Sequence, residues 1–160
     1  MLKVFAAVCF LLAALSRPVL AHAAPRGEAK ATVAGKAVSI DYGRPSLSGR
    51  DMLGRAEIGK PWRMGADGAT TLTTEADLGF GAATVPKGSY VLTATKTAED
   101  RWVLNIATPD KVKVADVPLD AAKLGESVET LTIELHGEKS AGQFEMRWGA
   151  LSLKTTFTGK

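Results

Sequence analysis

Cysteine is almost missing from this chain of 160 residues, and the only one, Cys9, lies in an N-terminal apolar run. That run, MLKVFAAVCFLLAALSRPVLAHAAP, has the basic start, short hydrophobic middle and small-x-small ending (Ala21-His22-Ala23) of a secretory signal. Its apolar stretch is shorter than the ~20 residues that span a bilayer. Cleavage after Ala23 is therefore expected, leaving 1–23 as signal peptide and 24–160 as a single periplasmic or secreted domain. Cys9 sits inside the run rather than at its end, which argues against lipid attachment. The mature chain would hold no cysteine, so no disulfide braces it and no thiol chemistry is available.

Histidine is nearly as scarce. His22 leaves with the signal and His136 alone remains, so a Cys/His nucleophile pair and a His-rich zinc site are excluded. An excess of one charge is missing too. Removing Lys3 and Arg17 from 20 basic residues leaves 18 against 17 acidic ones, and the formal charge falls from +3 to +1. Such a balance gives no electrostatic case for nucleic acid or an acidic lipid surface. No membrane span is expected after cleavage. Gly-x-Ser-x-Gly, phosphate-loop, dinucleotide and calcium-loop patterns do not occur. No cofactor and no metal are expected. A pair of carboxylates for acid–base work stays open, because their separation is a tertiary property. Helical periodicity is confined to 119–124 and 49–53, both too short to carry a domain.

What the chain does hold is a period of two. Val38, Ile40 and Tyr42 alternate with Ser39 and Asp41. The same pattern appears in Tyr90-Leu92-Ala94, Trp102-Leu104-Ile106, Leu131-Ile133-Leu135, Phe144-Met146-Trp148 and Leu151-Leu153-Phe157. One apolar and one polar face is the signature of half-buried antiparallel strands. Turn chemistry separates them: Gly35-Lys36, with Gly at the first central position, Pro86-Lys87-Gly88, Glu99-Asp100 and 137–142. The expected fold is all-β, a mostly antiparallel, jelly-roll-like sandwich with one long ordered loop and little helix. One register can be specified. Ile133 opposite Trp148 and Leu135 opposite Met146 would set Glu134 against Arg147 and His136 against Glu145, worth about 0.2–1 kcal/mol per pair. A shift by two would oppose Glu134 and Glu145.

The loop is the segment 42–71, within DYGRPSLSGRDMLGRAEIGKPWRMGADGATT. It carries four of the eight arginines (Arg44, Arg50, Arg55, Arg63) and one of the three tryptophans, Trp62. Long loops inside compact domains are commonly functional. Arginine forks match carboxylate and phosphate oxygens in pairs, and Trp offers a flat apolar surface to a sugar or ring. The candidate ligand-binding residues are therefore Tyr42, Arg44, Ser46, Arg50, Trp62, Arg63, Asp67 and Thr70, with Asp67 orienting an arginine. The structural alternative is that Arg44 or Arg63 pairs with Asp51 or Asp67 and hydrogen-bonds loop carbonyls, while Trp62 plugs one end of the sandwich. No catalytic residue is assigned. His136, on a polar strand face, reads as a solvated side chain.

These residues carry a resemblance. Tyr42-Gly43-Arg44-Pro45-Ser46, Gly49-Arg50, Gly54, Trp62-Arg63 and Gly65-Ala66-Asp67-Gly68-Ala69-Thr70-Thr71 resemble the long motif of the bacterial domain-of-unknown-function family 2911. Pro86-Lys87-Gly88-Ser89-Tyr90 resembles its Pro-x-Gly-x-Tyr turn, and Met146-Arg147-Trp148-Gly149 its C-terminal strand. The likeness runs over about 36–157 and implies a secreted or periplasmic β-rich domain with no assigned activity. Gly68 stands where a larger, often acidic residue is expected. The leading functional expectation is a non-enzymatic binding module for a small anionic or saccharide ligand such as a cell-wall fragment. A structural or protein-interaction module of the cell envelope is the alternative, and a hydrolase using His136 or two carboxylates is a third.

Overall fold

The computed structural model describes residues 23–160, so all but the last residue of the expected signal lies outside the described residues. Ten strands and no helix form among the described residues. They are β1 (Arg26–Val33), β2 (Lys36–Gly43), β3 (Pro61–Trp62), β4 (Thr70–Thr74), β5 (Leu78–Phe80), β6 (Ala83–Val85), β7 (Gly88–Ala98), β8 (Arg101–Ala107), β9 (Lys113–Glu138) and β10 (Ala141–Gly159). Every pairing is antiparallel, in the order β1-β2-β4-β7-β8-β9-β10-β5-β6, with β3 paired to β7.

One strand makes this a single sheet. β9 runs for 26 residues. It pairs with β8 as far as Leu119 and with β10 from Asp120 onward. The sheet is open rather than closed into a barrel, and it folds over so that two layers face each other. Strands that pass from one layer to the next at bends are the usual corners of such sandwiches. The Tyr42 hydroxyl ties the layers, donating to the Ile133 carbonyl (3.2 Å) and accepting from the Ile133 amide (2.9 Å).

The apolar alternation in the sequence becomes this core. Val38, Ile40, Leu92, Leu104, Ile106, Ile133, Phe144 and Met146 are all buried. Each such apolar side chain contributes roughly 1.5–3 kcal/mol by leaving water. Between the layers only about 10 Å³ of space remains, walled by Ile40, Leu72, Leu92, Leu135, Phe144 and Phe157. That holds about one water at most, so the interior has no room for a ligand.

Four local expectations are corrected. The β9–β10 hairpin turns on Lys139 and Ser140, with Lys139 at φ 55°, and this sets Met146 opposite Ile133 and Glu145 opposite Glu134. The two carboxylates are relieved diagonally rather than directly. Arg147 Nη2 donates to Glu134 Oε1 (2.6 Å), while the Ser152 hydroxyl (2.8 Å) and Lys154 Nζ (3.3 Å) serve Glu145. A tight turn fixes register, and diagonal neighbours lie within reach of long side chains, so the opposition is tolerated. Residues 119–124 are strand rather than helix, because Ala115, Val117 and Leu119 continue a buried alternation against β8. Residues 49–53 form turns. The β1–β2 turn is Ala34-Gly35, both at positive φ (51° and 73°), so Gly occupies the second central position.

Candidate functional site

The segment between β2 and β4 is an ordered cap. On leaving β2 it runs beside β9 as an irregular extra strand. The Leu131 amide donates to the Pro45 carbonyl (3.0 Å), the Leu47 amide to the Glu129 carbonyl (2.9 Å), and Ser46 bridges to Thr130. Leu47, Leu53 and Met64 are buried beneath it. Trp62 pairs with Ala94 through β3 and stacks on Trp148 with centroids 5.8 Å apart and planes 11° apart. On the return, a Cβ at Gly43 would meet the Ala66 carbonyl oxygen, so only glycine lets the loop close against β2.

The eight candidate residues scatter along this cap. Tyr42 is buried and ties the layers, as described. Arg44 is half-buried; its Nε reaches the Leu131 carbonyl (3.3 Å) and its Nη2 the Thr132 hydroxyl (3.4 Å). Ser46 is exposed, its hydroxyl 3.4 Å from that of Thr130. Arg50 Nε donates to the Leu47 carbonyl (3.1 Å). Trp62 is half-buried against Trp148. Arg63 Nη1 donates to the Asp67 carbonyl (3.3 Å), so Asp67 receives an arginine through its backbone. The Asp67 carboxylate instead accepts the Ala24 amide (2.7 Å). Thr70 is buried and donates to the Met64 carbonyl (3.0 Å). Among the described residues no ion pair joins Arg44, Arg50 or Arg63 to a carboxylate. Each guanidinium makes a hydrogen bond to a backbone carbonyl. Gly68 also finds a role, since a Cβ there would stand 3.0 Å from Arg26 Nη1. Arg26 crosses this point to reach the Ala69 carbonyl (3.2 Å) and pair with Asp41.

A concavity lies on the other flank of the cap. It is an open cleft of about 550 Å³. The cap supplies Leu47, Asp51, Leu53 and Gly54. The β7–β8 hairpin supplies Lys96, Glu99, Asp100 and Trp102. The middles of β9 and β10 supply 121–123 and 148–151. None of the eight candidate residues lines it. Its origin is a mismatch between the two longest strands. Gly149 pairs with Val128 and Leu151 with Lys123, so four residues of β9 (124–127) stand opposite Ala150 alone. β-Bulges bend a strand away from its partner and re-aim side chains. Gly149 takes φ 59° at this point, a left-handed conformation that glycine adopts without penalty.

Glu129 holds the wall in place. Its carbonyl accepts both the Leu47 amide and the Trp148 indole N–H (3.2 Å), and its carboxylate accepts the Ser48 amide (2.9 Å). Sequence reasoning missed Glu129, Met64 and the whole cleft. The available signal was Gly125 interrupting an alternating stretch, which marks a bulge.

The cleft has an apolar floor and a mixed rim. Leu47, Leu53, Leu151 and the edges of Trp102 and Trp148 form the floor. On the rim, Asp51 Oδ1 is occupied by the Gly54 amide (2.8 Å). Glu99 stands 3.5 Å from Lys96, whose side chain is only 11% exposed. Asp100 and Lys123 make no ion pair among the described residues. His136 is exposed on β9, 3.7 Å from Glu134, and does not line the cleft. Among the described residues no group of three or more His, Cys, Asp and Glu side chains is placed to hold a metal ion.

Comparison with known proteins gives one match. The model of a family described as "Protein of unknown function (DUF2911)" matches residues 24–157. No curated protein and no solved structure matches the chain.

Proposed function

The chain belongs to the DUF2911 family, described as being of unknown function, and from that premise we propose an exported, non-enzymatic binding module whose ligand seat is the Trp102–Trp148 cleft. The observation that carries this reading is the cleft itself, about 550 Å³ between the bulge and the cap. Small-molecule sites usually fall between about 300 and 1,000 Å³, with an apolar lining and a few polar groups that orient the ligand. The well-filled interior offers no competing seat.

The rim chemistry narrows the ligand. Three carboxylates (Asp51, Glu99, Asp100) outnumber two ammonium groups (Lys96, Lys123), which disfavours a simple anion. The Arg44, Arg50 and Arg63 guanidinium groups, the natural anion anchors, are already engaged with protein carbonyls. Asp100 and Lys123 together suit a neutral or zwitterionic molecule with an apolar face, such as a saccharide or a short cell-wall fragment. Binding rather than hydrolysis is favoured because two of the three carboxylates already serve structural partners. The N-terminal signal pattern supports export to the periplasm or beyond.

Thermal unfolding of the purified protein with N,N′-diacetylchitobiose, muramyl dipeptide and citrate tests this reading. A rise in Tm with either of the first two, absent with citrate and abolished by the cleft-filling variant Ala150→Trp, is the expected result. No rise with any of them, or a rise that survives Ala150→Trp, overturns it. Release of shortened sugars during incubation would replace binding with hydrolysis.

A further inference from the structure

We propose that Asp67 is the built receptor for the α-ammonium group that export processing creates on Ala24. The proposal rests on the export reading above and is independent of the cleft.

Residues 24–26 are laced to the cap at three successive positions. The Ala24 nitrogen lies 2.7 Å from Asp67 Oδ2. The Pro25 carbonyl accepts the Arg44 amide (2.7 Å). The Arg26 guanidinium pairs with Asp41 and donates to the Ala69 carbonyl (3.2 Å). Asp67 itself adopts φ 62°, a left-handed conformation that is uncommon for a residue other than glycine. That turn is closed by the Arg63 side chain on the Asp67 carbonyl. The carboxylate is thereby presented to the nitrogen at which Ala21-His22-Ala23 predicts the cut.

The cut changes the charge at that nitrogen. Water adds across the Ala23–Ala24 amide under a signal peptidase. The departing segment keeps a carboxylate on Ala23, and the Ala24 nitrogen becomes an ammonium. Free α-amino groups titrate at about 7.7–8.0, so this one is charged at neutral pH. The same 2.7 Å contact turns from a bond between an uncharged amide and a carboxylate into an ion pair between two opposite charges, which adds a Coulombic attraction that the amide lacks. Most exposed ion pairs gain little because two long side chains must be immobilised. Here Pro25 and Arg26 already fix the backbone that carries the ammonium. The processed end then clamps the return of the cap more firmly than the precursor can.

The test starts from the full chain expressed with its leader. The intact mass of the exported product gives its first residue. Its Tm is then compared with that of a chain bearing Gly-Ser before Ala24, each with and without Asp67→Asn. The expected product begins at Ala24, and the extension lowers Tm by about 2–4 °C. In the Asp67→Asn background the extension has no effect. An equal effect of the extension in both backgrounds, or none in either, overturns the receptor role of Asp67. A product beginning at another residue overturns the processing step. Neither result bears on sugar binding in the cleft, so failures of the two proposals are distinguishable.

Discussion

The arginines of the cap differ by what their side chains reach. Arg44 is half-buried and bonds Leu131 and Thr132 across the layers, whereas Arg63 is exposed and bonds only its own turn. Arg44→Ala is expected to cost about 1–2 kcal/mol, because it strands a carbonyl and loses stem packing. Arg63→Ala is expected to stay within about 0.5 kcal/mol. Urea unfolding checks both, and equal losses would contradict the assignment. Glu145 gives a pH signature. Its side chain is 13% exposed. Burial pushes its pKa up, but the Ser152 hydroxyl, Lys154 and Arg147 outweigh burial and hold the carboxyl below its ordinary 4.5. A carboxylate lowered on folding stabilises above its unfolded pKa, and the gain fades as pH falls through the folded value. Glu145→Gln is therefore expected to cost about 1–2 kcal/mol at pH 7 and almost nothing near pH 2. Unfolding at both pH values checks it, and a gap that persists in acid would contradict it. Burial was legible residue by residue, since Trp102, Trp148, Leu104 and Ile133 declare themselves by alternation. Partners were not legible: nothing in the sequence says that Arg44 meets a carbonyl rather than a ligand.

β9 and β10 set the character of the molecule. Their hairpin end was legible in Leu131-Ile133-Leu135 and Phe144-Met146-Trp148. Its register was not, because the two-residue turn at Lys139-Ser140 and the diagonal Arg147–Glu134 pair outweighed direct charge opposition. The first half of β9 was hidden because Leu124-Gly125-Glu126-Ser127 breaks the alternation that Ala115, Val117 and Leu119 establish. Two glycines along this hairpin separate strain from space. A Cβ at Gly149 would have room, with Leu47 the nearest neighbour at 3.9 Å, but φ there is 59°. A Cβ at Gly137 would meet the Thr32 carbonyl oxygen of β1. Gly149→Ala is expected to cost about 1 kcal/mol, and Gly137→Ala about 3 kcal/mol as β1 is forced off β9. Thermal unfolding of the two variants gives the order, and the reverse order would contradict the packing described. Trp62 links β3 to this hairpin by stacking on Trp148, so Trp62→Ala is expected to cost about 2–3 kcal/mol and to remove near-ultraviolet circular dichroism from the pair.

For the molecule as a whole, the fold follows from apolar alternation with few breaks, which specifies an antiparallel sandwich well before any loop is placed. The cap was legible as ordered and important from Trp62 and the glycine spacing around it. The cleft beside it was not, because that cleft arises only where the cap, the Glu99-Asp100 turn and the β9 bulge meet, and no local pattern encodes that meeting. The proposed ligand seat is the apolar hollow beside the bulge rather than the arginines above it. Amide and indole NMR shifts during a titration with N,N′-diacetylchitobiose or muramyl dipeptide test this most directly. The predicted shifts gather at Asp100, residues 121–123, Ala150 and the Trp148 indole. Shifts gathered at Arg44, Arg63 and Asp67 while the cleft signals stay still would contradict it.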